Sequence, residues 1–321
     1  MGVIDSLSAG YRLITRHIEL LLVPLLLDIF LWFAPRLSIA PLLRQFAEMY
    51  NGLLAGSGNL PPDMSQLSQQ MDDMLALLGE TSNLFQLLVN GALYHVPSLL
   101  ATLPALQGGQ GTVEIGSLGA AVTAFLALGL AGLLVGVVYM NLLARALPLG
   151  EGEKGRNSSF VSLVLRHWMR SILFLVGLVG LLLAIYIPAT VGVSLLMLIN
   201  TALGIFAMFL LSGLIVLVLF NLYFVTAGIV LDDLAVRPAV VRSVILVRYN
   251  FFPTLGLILI TTLIATGMAL LLQRVAAFGS AGVLIAAALN AFIGTGLAMA
   301  ILVFYRTRLL VLAERLQQGQ M

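Results

Sequence analysis

Apolar residues fill this chain in long blocks. Residues 171–231 contain no Asp, Glu, Lys, Arg or His over 61 positions. As one helix that block would run about 92 Å at about 1.5 Å per residue, three times a hydrocarbon core of about 30 Å, so the chain must turn back within it. Pro188 and the Asn200-Thr201 pair are the natural breakers, predicting one span near 171–190 and another near 203–228. Uncharged runs over 115–144, 249–273 and 275–305 each supply one more span. The shortest apolar block, 18–33, holds Pro24 and Asp28, and Arg36 beyond it can snorkel; a sixth span is expected there.

A short phrase precedes three of these blocks. It reads LITRH at 13–17, LVLRH at 163–167 and ILVRY at 245–249. Of fifteen arginines only Arg16, Arg166 and Arg248 are followed by an aromatic or imidazole ring, namely His17, His167 and Tyr249. Helical apolar spacing around each predicts an amphipathic helix in the headgroup layer, followed by a transmembrane hairpin. The expected fold is all-α and polytopic, six transmembrane helices in three interfacial-helix-plus-hairpin units. The six residues either anchor spans at the interface or converge as a pocket for anions or lipid headgroups.

With six spans, thirteen Lys and Arg residues fall on one face and only Arg36, Arg44 and Arg274 on the other. Positive charge collects on the cytoplasmic side, so both termini are expected inside a bacterial inner membrane, with loop 36–114 outside. A cleaved signal peptide is the competing account of the N-terminus. Recurrence of the same entry phrase before two later spans argues against it.

Composition agrees with a membrane class: 60% of residues are hydrophobic and 9% charged, too little charge to cover a soluble surface. Cysteine is absent, which excludes disulfides, thiol nucleophiles and thiolate metal sites. No HExxH, Gly-x-Ser-x-Gly or phosphate-cradling Gly-Lys-Ser/Thr motif occurs. No catalytic, cofactor or metal residues are therefore assigned. Basic residues line a membrane face without forming a dense patch, so nucleic acid is not an expected partner.

Loop 36–114 is too long for a plain connector. Leu42, Leu43, Phe46, Met49, Tyr50, Leu53 and Leu54 fall on one helical stripe; Met64, Leu67, Met71, Met74 and Leu78 form another after a capping-box-like start at Asp63 and Gln66. Further short helices are expected at 84–89 and 97–103, with a flexible return at 107–111. This cap buries its apolar sides internally, on the bundle, on the membrane or on a protein partner.

Asp28 is the one acid expected within the hydrocarbon, where it must find a partner. Asn141, Asn221, Asn290 and Thr226 are the candidates, either in an interhelical hydrogen bond or around a polar site. The pair Asp232 and Asp233 precedes a helix whose N-terminus its charge suits. Gly129, Gly132, Gly136, Gly177 and Gly180 are expected to allow close helix packing.

The longest signature, FNLYFVTAGIVLDDLAVRPAVVRSVILVRYNFFPTLGLILI at 220–260, resembles the membrane domain associated with glycerophosphoryl diester phosphodiesterases and a related group of six-span bacterial membrane proteins. The resemblance is carried by Asp232, Asp233, Ala239, Ser243, Arg248 and Asn250. It implies a fold and not an activity, because phosphodiesterase chemistry in that family resides in a separate soluble barrel that this sequence lacks. The long outer loop departs from the family pattern. The reading divides the chain into 1–35, an interfacial helix and first span; 36–114, the cap; and 115–321, a five-span bundle. The expected role is non-catalytic: an accessory, scaffold or lipid-organising membrane protein, alone or as a subunit of a larger complex. A small transporter or channel-like protein for a lipid or small solute is the alternative.

Overall fold

A computed structural model describes residues 2–55, 62–107, 109, 111–148 and 159–317. Lys154, Arg156, part of the 107–111 return, and the side chains of Leu54, Asp63, Met64, Leu67 and Arg315 lie outside what is described. The chain is all-α apart from one short ribbon. Its helices are α1 (Val3–Arg16), α2 (Leu22–Phe33), α3 (Ala40–Ala55), α4 (Pro62–Thr81), α5 (Leu118–Ala146), α6 (Phe160–Ile199), α7 (Thr201–Asn221), α8 (Val225–Leu231), α9 (Val236–Tyr249), α10 (Phe251–Ala276) and α11 (Ser280–Gln317). Five stretches are long and apolar enough to cross a bilayer: Leu118–Ala146, Phe160–Ile199, Thr201–Leu231, Phe251–Ala276 and Ser280–Glu314. This is a multi-pass helical membrane architecture.

Three features of the helices differ from expectation. Pro188 lies inside α6, which ends only at Asn200. Proline removes one backbone bond, and apolar surroundings offer no water to compete for the others. At Asn200 the break is built in: its side chain accepts from the N–H groups of Ala202 (2.9 Å) and Leu203 (3.3 Å) and caps α7. The expected in-plane helix around Arg166 is not separate but forms the first turns of α6, whereas α1 stops at His17 and α9 at Asn250. Finally, α2 has 12 residues and is not among the five long spans.

The chain forms two compact units. The first comprises residues 1–20, 137–264 and 296–321. Its core holds Tyr139, Leu143, Phe224, Ile229, Leu246, Phe304 and Tyr305, with the Phe224 ring 5.9 Å from Phe304 and 5.8 Å from Tyr305. Gly10 of α1 permits a close backbone approach in this core: a Cβ there would sit 2.7 Å from the Ala300 backbone nitrogen of α11. The break between α7 and α8 is satisfied from α9, where Ser243 Oγ donates to the Asn221 carbonyl (2.7 Å) and accepts from the Phe224 N–H (3.1 Å).

The second unit comprises residues 21–136 and 265–295, so 36–114 does not stand alone as a compact body. Helices α3 and α4 form an antiparallel pair: Gly79 would meet Ala40 at 3.1 Å if it carried a Cβ, and Asn51 bonds Ser68 (2.7 Å) and Asp72 (2.8 Å) at the other end. Among the described residues of α4 the buried positions are Leu75 and Gly79, one residue away from the expected stripe; Met74, Leu77 and Leu78 are exposed, as are Phe46, Met49 and Leu53 of α3. Strands β1 (Arg36–Ser38) and β2 (Thr112–Glu114) pair in parallel, Arg36 opposite Thr112 and Ser38 opposite Glu114. A core of Leu31, Val89, Leu99, Leu100, Leu272 and Val283 ties α2 and the segment 84–106 to the facing ends of α10 and α11.

Candidate functional site

The densest polar cluster lies in the first unit, where α5, α6, the turn between α8 and α9, α9 and α11 meet. Helix α8 closes with the N–H groups of Asp232 and Leu234 both donating to the Gly228 carbonyl, each at 3.3 Å. Asp233 between them adopts a left-handed conformation, φ 50°. That is a helix-closing geometry which Asp tolerates better than most side chains. The turn aims the two carboxylates in different directions.

Asp233 faces α6. It accepts from Arg166 Nη1 (2.9 Å) and from Arg170 Nη1 (2.5 Å), which also reaches the carbonyls of Asp233 (2.7 Å) and Leu234 (3.2 Å). His167, fully buried, lies between two acceptors: Nε2 is 3.2 Å from Asp233 Oδ1 and Nδ1 is 3.0 Å from Asn141 Oδ1. Asn141 Nδ2 donates to the Val137 carbonyl at 2.8 Å, which fixes Oδ1 as the atom facing the ring. With a carboxylate at 233, both contacts hold together only when both ring nitrogens carry hydrogen. Burial pulls the Asp233 carboxyl upward, but hydrogen bonds and charge from Arg170, joined by His167, outweigh it and hold the group below its usual range. Asp232 turns to the other side, accepting from Arg242 Nη1 (2.7 Å) and the Tyr305 hydroxyl (2.5 Å).

The acidic pair therefore serves as a junction of four elements and does not principally complement the α9 N-terminus. Of the sequence-derived residues, Asn141, Arg166, His167, Asp232 and Asp233 come together here. Arg170, Arg242 and Tyr305 were missed; the one available signal was Arg170, four residues beyond Arg166 on the same helix. Among the described residues, neither Arg16 nor Arg248 joins this network. Both are exposed, as is Tyr249, while His17 ends α1 and bonds Glu19 at 2.9 Å. Asn221 bonds the Leu217 carbonyl within its own helix (2.8 Å), and Asn290 is half-buried on α11.

Asp28 belongs to the second unit and is 1% exposed. Its hydrogen bonds go to the loop instead of the expected asparagines: it accepts from the Ser98 hydroxyl and from the N–H groups of Leu99 (3.2 Å) and Leu100 (3.0 Å). It thus caps, from a distant helix, the single turn Leu100–Thr102. Asn83 and Gln107 continue this satisfaction. Asn83 Nδ2 donates to Gln107 Oε1 at 2.8 Å, and Gln107 Nε2 donates to the Leu100 carbonyl.

Two cavities accompany these clusters. One, about 670 Å³, is lined by Arg36, Arg44, Leu75, Glu80, Thr112 and Glu114 in the cap. The other, about 560 Å³, lies between α9 and the C-terminal part of α11 and is lined by Arg237, Val241, Arg242, Ile245, Leu309 and Leu312. Among the described residues, no group of three or more His, Asp or Glu side chains is placed to hold a metal ion. Comparison with protein-family models, with curated proteins and with solved structures finds no significant match to this chain.

Proposed function

We propose that this chain is a non-catalytic membrane protein that holds anionic lipid at one face of the bilayer, acting alone or as a subunit of a larger membrane complex. The observation carrying this reading is the groove between α9 and α11. Two arginines, Arg237 and Arg242, border a trough whose other walls are Val241, Ile245, Leu309 and Leu312. Guanidinium beside an apolar trough complements a phosphate joined to an acyl chain. Arg237, Val241 and Ile245 are exposed, so the groove is open to lipid.

The topology that goes with this reading has six spans in three repeat units, both termini in the cytoplasm of a bacterium, and 36–114 outside. Support for the first span comes from length and exposure. The single turn Ile18–Leu21 together with α2 covers about 26 Å, nearly the hydrocarbon thickness. Leu22, Leu26, Ile29, Phe30 and Phe33 expose one continuous apolar stripe along it. The likeness of 220–260 to the phosphodiesterase-associated membrane domains supports the same arrangement. The exposed apolar residues of α3 and α4 support contact between the cap and another subunit of such a complex.

The test is native mass spectrometry from lipid nanodiscs of mixed anionic and zwitterionic phospholipid. Retention of one anionic lipid, lost in Arg237→Gln while the chain stays folded, is expected. Equal retention of both lipid classes, or retention unchanged in the variant, defeats the lipid role. The transporter reading keeps a place because of one observation, the non-helical hairpin 89–96 whose flanks pack against the middles of α5 and α11.

A further inference from the structure

Residues 89–96 form a tight hairpin without helix. The Val96 N–H donates to the Val89 carbonyl (3.0 Å), Asn90 and His95 bridge antiparallel, and His95 Nδ1 lies 2.9 Å from Asn90 Oδ1. Its surroundings are the middles of two apolar helices. A Cβ on Gly132 of α5 would lie 1.9 Å from the Leu87 carbonyl oxygen, one on Gly136 would lie 2.5 Å from Tyr94 Cβ, and one on Gly294 of α11 would lie 2.3 Å from Pro97 Cβ. Gly132 and Gly294 each lie about 21 Å along their helices from the N-terminal ends, at about 1.5 Å per residue. Arg145 and Arg306 stand a comparable distance beyond them. Both helices therefore place the hairpin near mid-depth of the hydrocarbon. Gly132 packs against loop backbone and Gly136 against the Tyr94 side chain, where the sequence suggested helix against helix.

Irregular backbone survives at that depth only when it is buried in protein or lines water. Much of this segment is buried: Val89, Tyr94, Val96, Pro97, Ser98, Leu99 and Leu100 are nearly inaccessible, and Asp28 satisfies the N–H groups of the last two. Asn90, Ala92 and His95 are exposed. Facing lipid tails, the amide and imidazole would still carry polar atoms beyond their mutual bond, each costing on the order of several kcal/mol in hydrocarbon. Their exposure needs water.

We infer that Asn90, Ala92 and His95 line an aqueous vestibule that enters the bilayer from the side of loop 36–114 and ends on the Asn90–His95 pair. The hairpin contributes no Asp, Glu, Lys or Arg, so the vestibule suits water and small uncharged hydrogen-bonding solutes. The inference rests on α5 and α11 crossing the membrane and is independent of lipid binding at α9.

The chain has no cysteine, so single cysteines report water access directly. In native membranes, Ala92→Cys and His95→Cys are expected to react with a charged, membrane-impermeant methanethiosulfonate from the same side as Glu48→Cys in the cap. The lipid-facing Leu126→Cys serves as reference; its thiol, shielded from water, is kept from ionising to the reactive thiolate and should react on the order of tenfold slower or more. Using two vestibule positions guards against misfolding of either variant. Silence at both 92 and 95 while position 48 reacts overturns the vestibule. Equal reactivity at 126 also overturns it, by removing the bilayer from α5. Reaction of 48, 92 and 95 together from the cytoplasmic side supports the vestibule and defeats the proposed orientation alone.

Discussion

Two aspartates solve opposite problems in this molecule. Asp233 is about two-fifths exposed and meets the charges of Arg166 and Arg170, with His167 against the same carboxylate. Asp28 is enclosed and meets a hydroxyl and two backbone N–H groups. Where water is present, charge answers charge, and each pair contributes modestly because solvent already screens it. Where water is absent, aligned dipoles take the place of solvent, and losing the acceptor leaves donors stranded. The molecule should therefore tolerate damage to its charged junction better than damage to its nearly neutral one.

The largest effect is expected at the buried acid. Asp28→Ala leaves the Ser98 hydroxyl and the N–H groups of Leu99 and Leu100 without their acceptor. At about 1–3 kcal/mol for each of the three stranded groups, a loss of at least about 3 kcal/mol follows, read as a fall in thermal unfolding midpoint or as failure to purify folded. Asp28→Asn keeps one acceptor oxygen and should lose about 1–2 kcal/mol. If both variants match the parent, the dipole account of Asp28 is wrong.

Asp233→Asn comes next, at about 1–2 kcal/mol after allowing for exposure. Asparagine keeps the left-handed backbone, so this substitution removes charge without adding strain. The pH dependence follows from the lowered pKa. Folding holds the Asp233 carboxyl below its ordinary 3.8; its contribution is fully present above the unfolded value and disappears as pH falls through the folded one. Unfolding midpoints of parent and Asp233→Asn should differ by a constant amount from neutral pH to about pH 5 and converge below the ordinary carboxylate range. A gap that persists at lower pH would assign the loss to shape and not to ionisation.

How far the sequence carries this picture depends on the range of each interaction. Apolar blocks locate the five long helices because a span needs only local composition. The break at Asn200 is legible for the same reason, since its cap is two and three residues away. The Arg166-His167 phrase marks a true junction, but its acidic partners lie more than sixty residues on, and nothing local announces the pairing. Asp28 is harder still. Its partners are backbone N–H groups seventy residues away, which any sequence supplies, so the search for a polar side chain led to the wrong elements. The hairpin at 89–96 has no signature, because an irregular segment packed between long helices is defined by the helices that surround it.

The smallest effect separates two arginines that bind the same carboxylate. Arg170 is 23% exposed and reaches three oxygens of Asp233 and Leu234; Arg166 is 47% exposed and reaches one. Arg170→Gln strands two carbonyls and leaves the carboxylate to Arg166 and His167, and should cost about 1–2 kcal/mol. Arg166→Gln gives up one screened pair and should cost about 0.5 kcal/mol or less. The half-exposed guanidinium of Arg166 is the part of this junction still facing outward, in the layer where headgroups are expected. If it contributes to lipid binding, Arg166→Gln lowers retention of anionic lipid while the unfolding midpoint in detergent stays near that of the parent. If the midpoint falls as far as in Arg170→Gln, Arg166 is as structural as its neighbour, and only the exposed arginines outside the junction remain to meet phosphate.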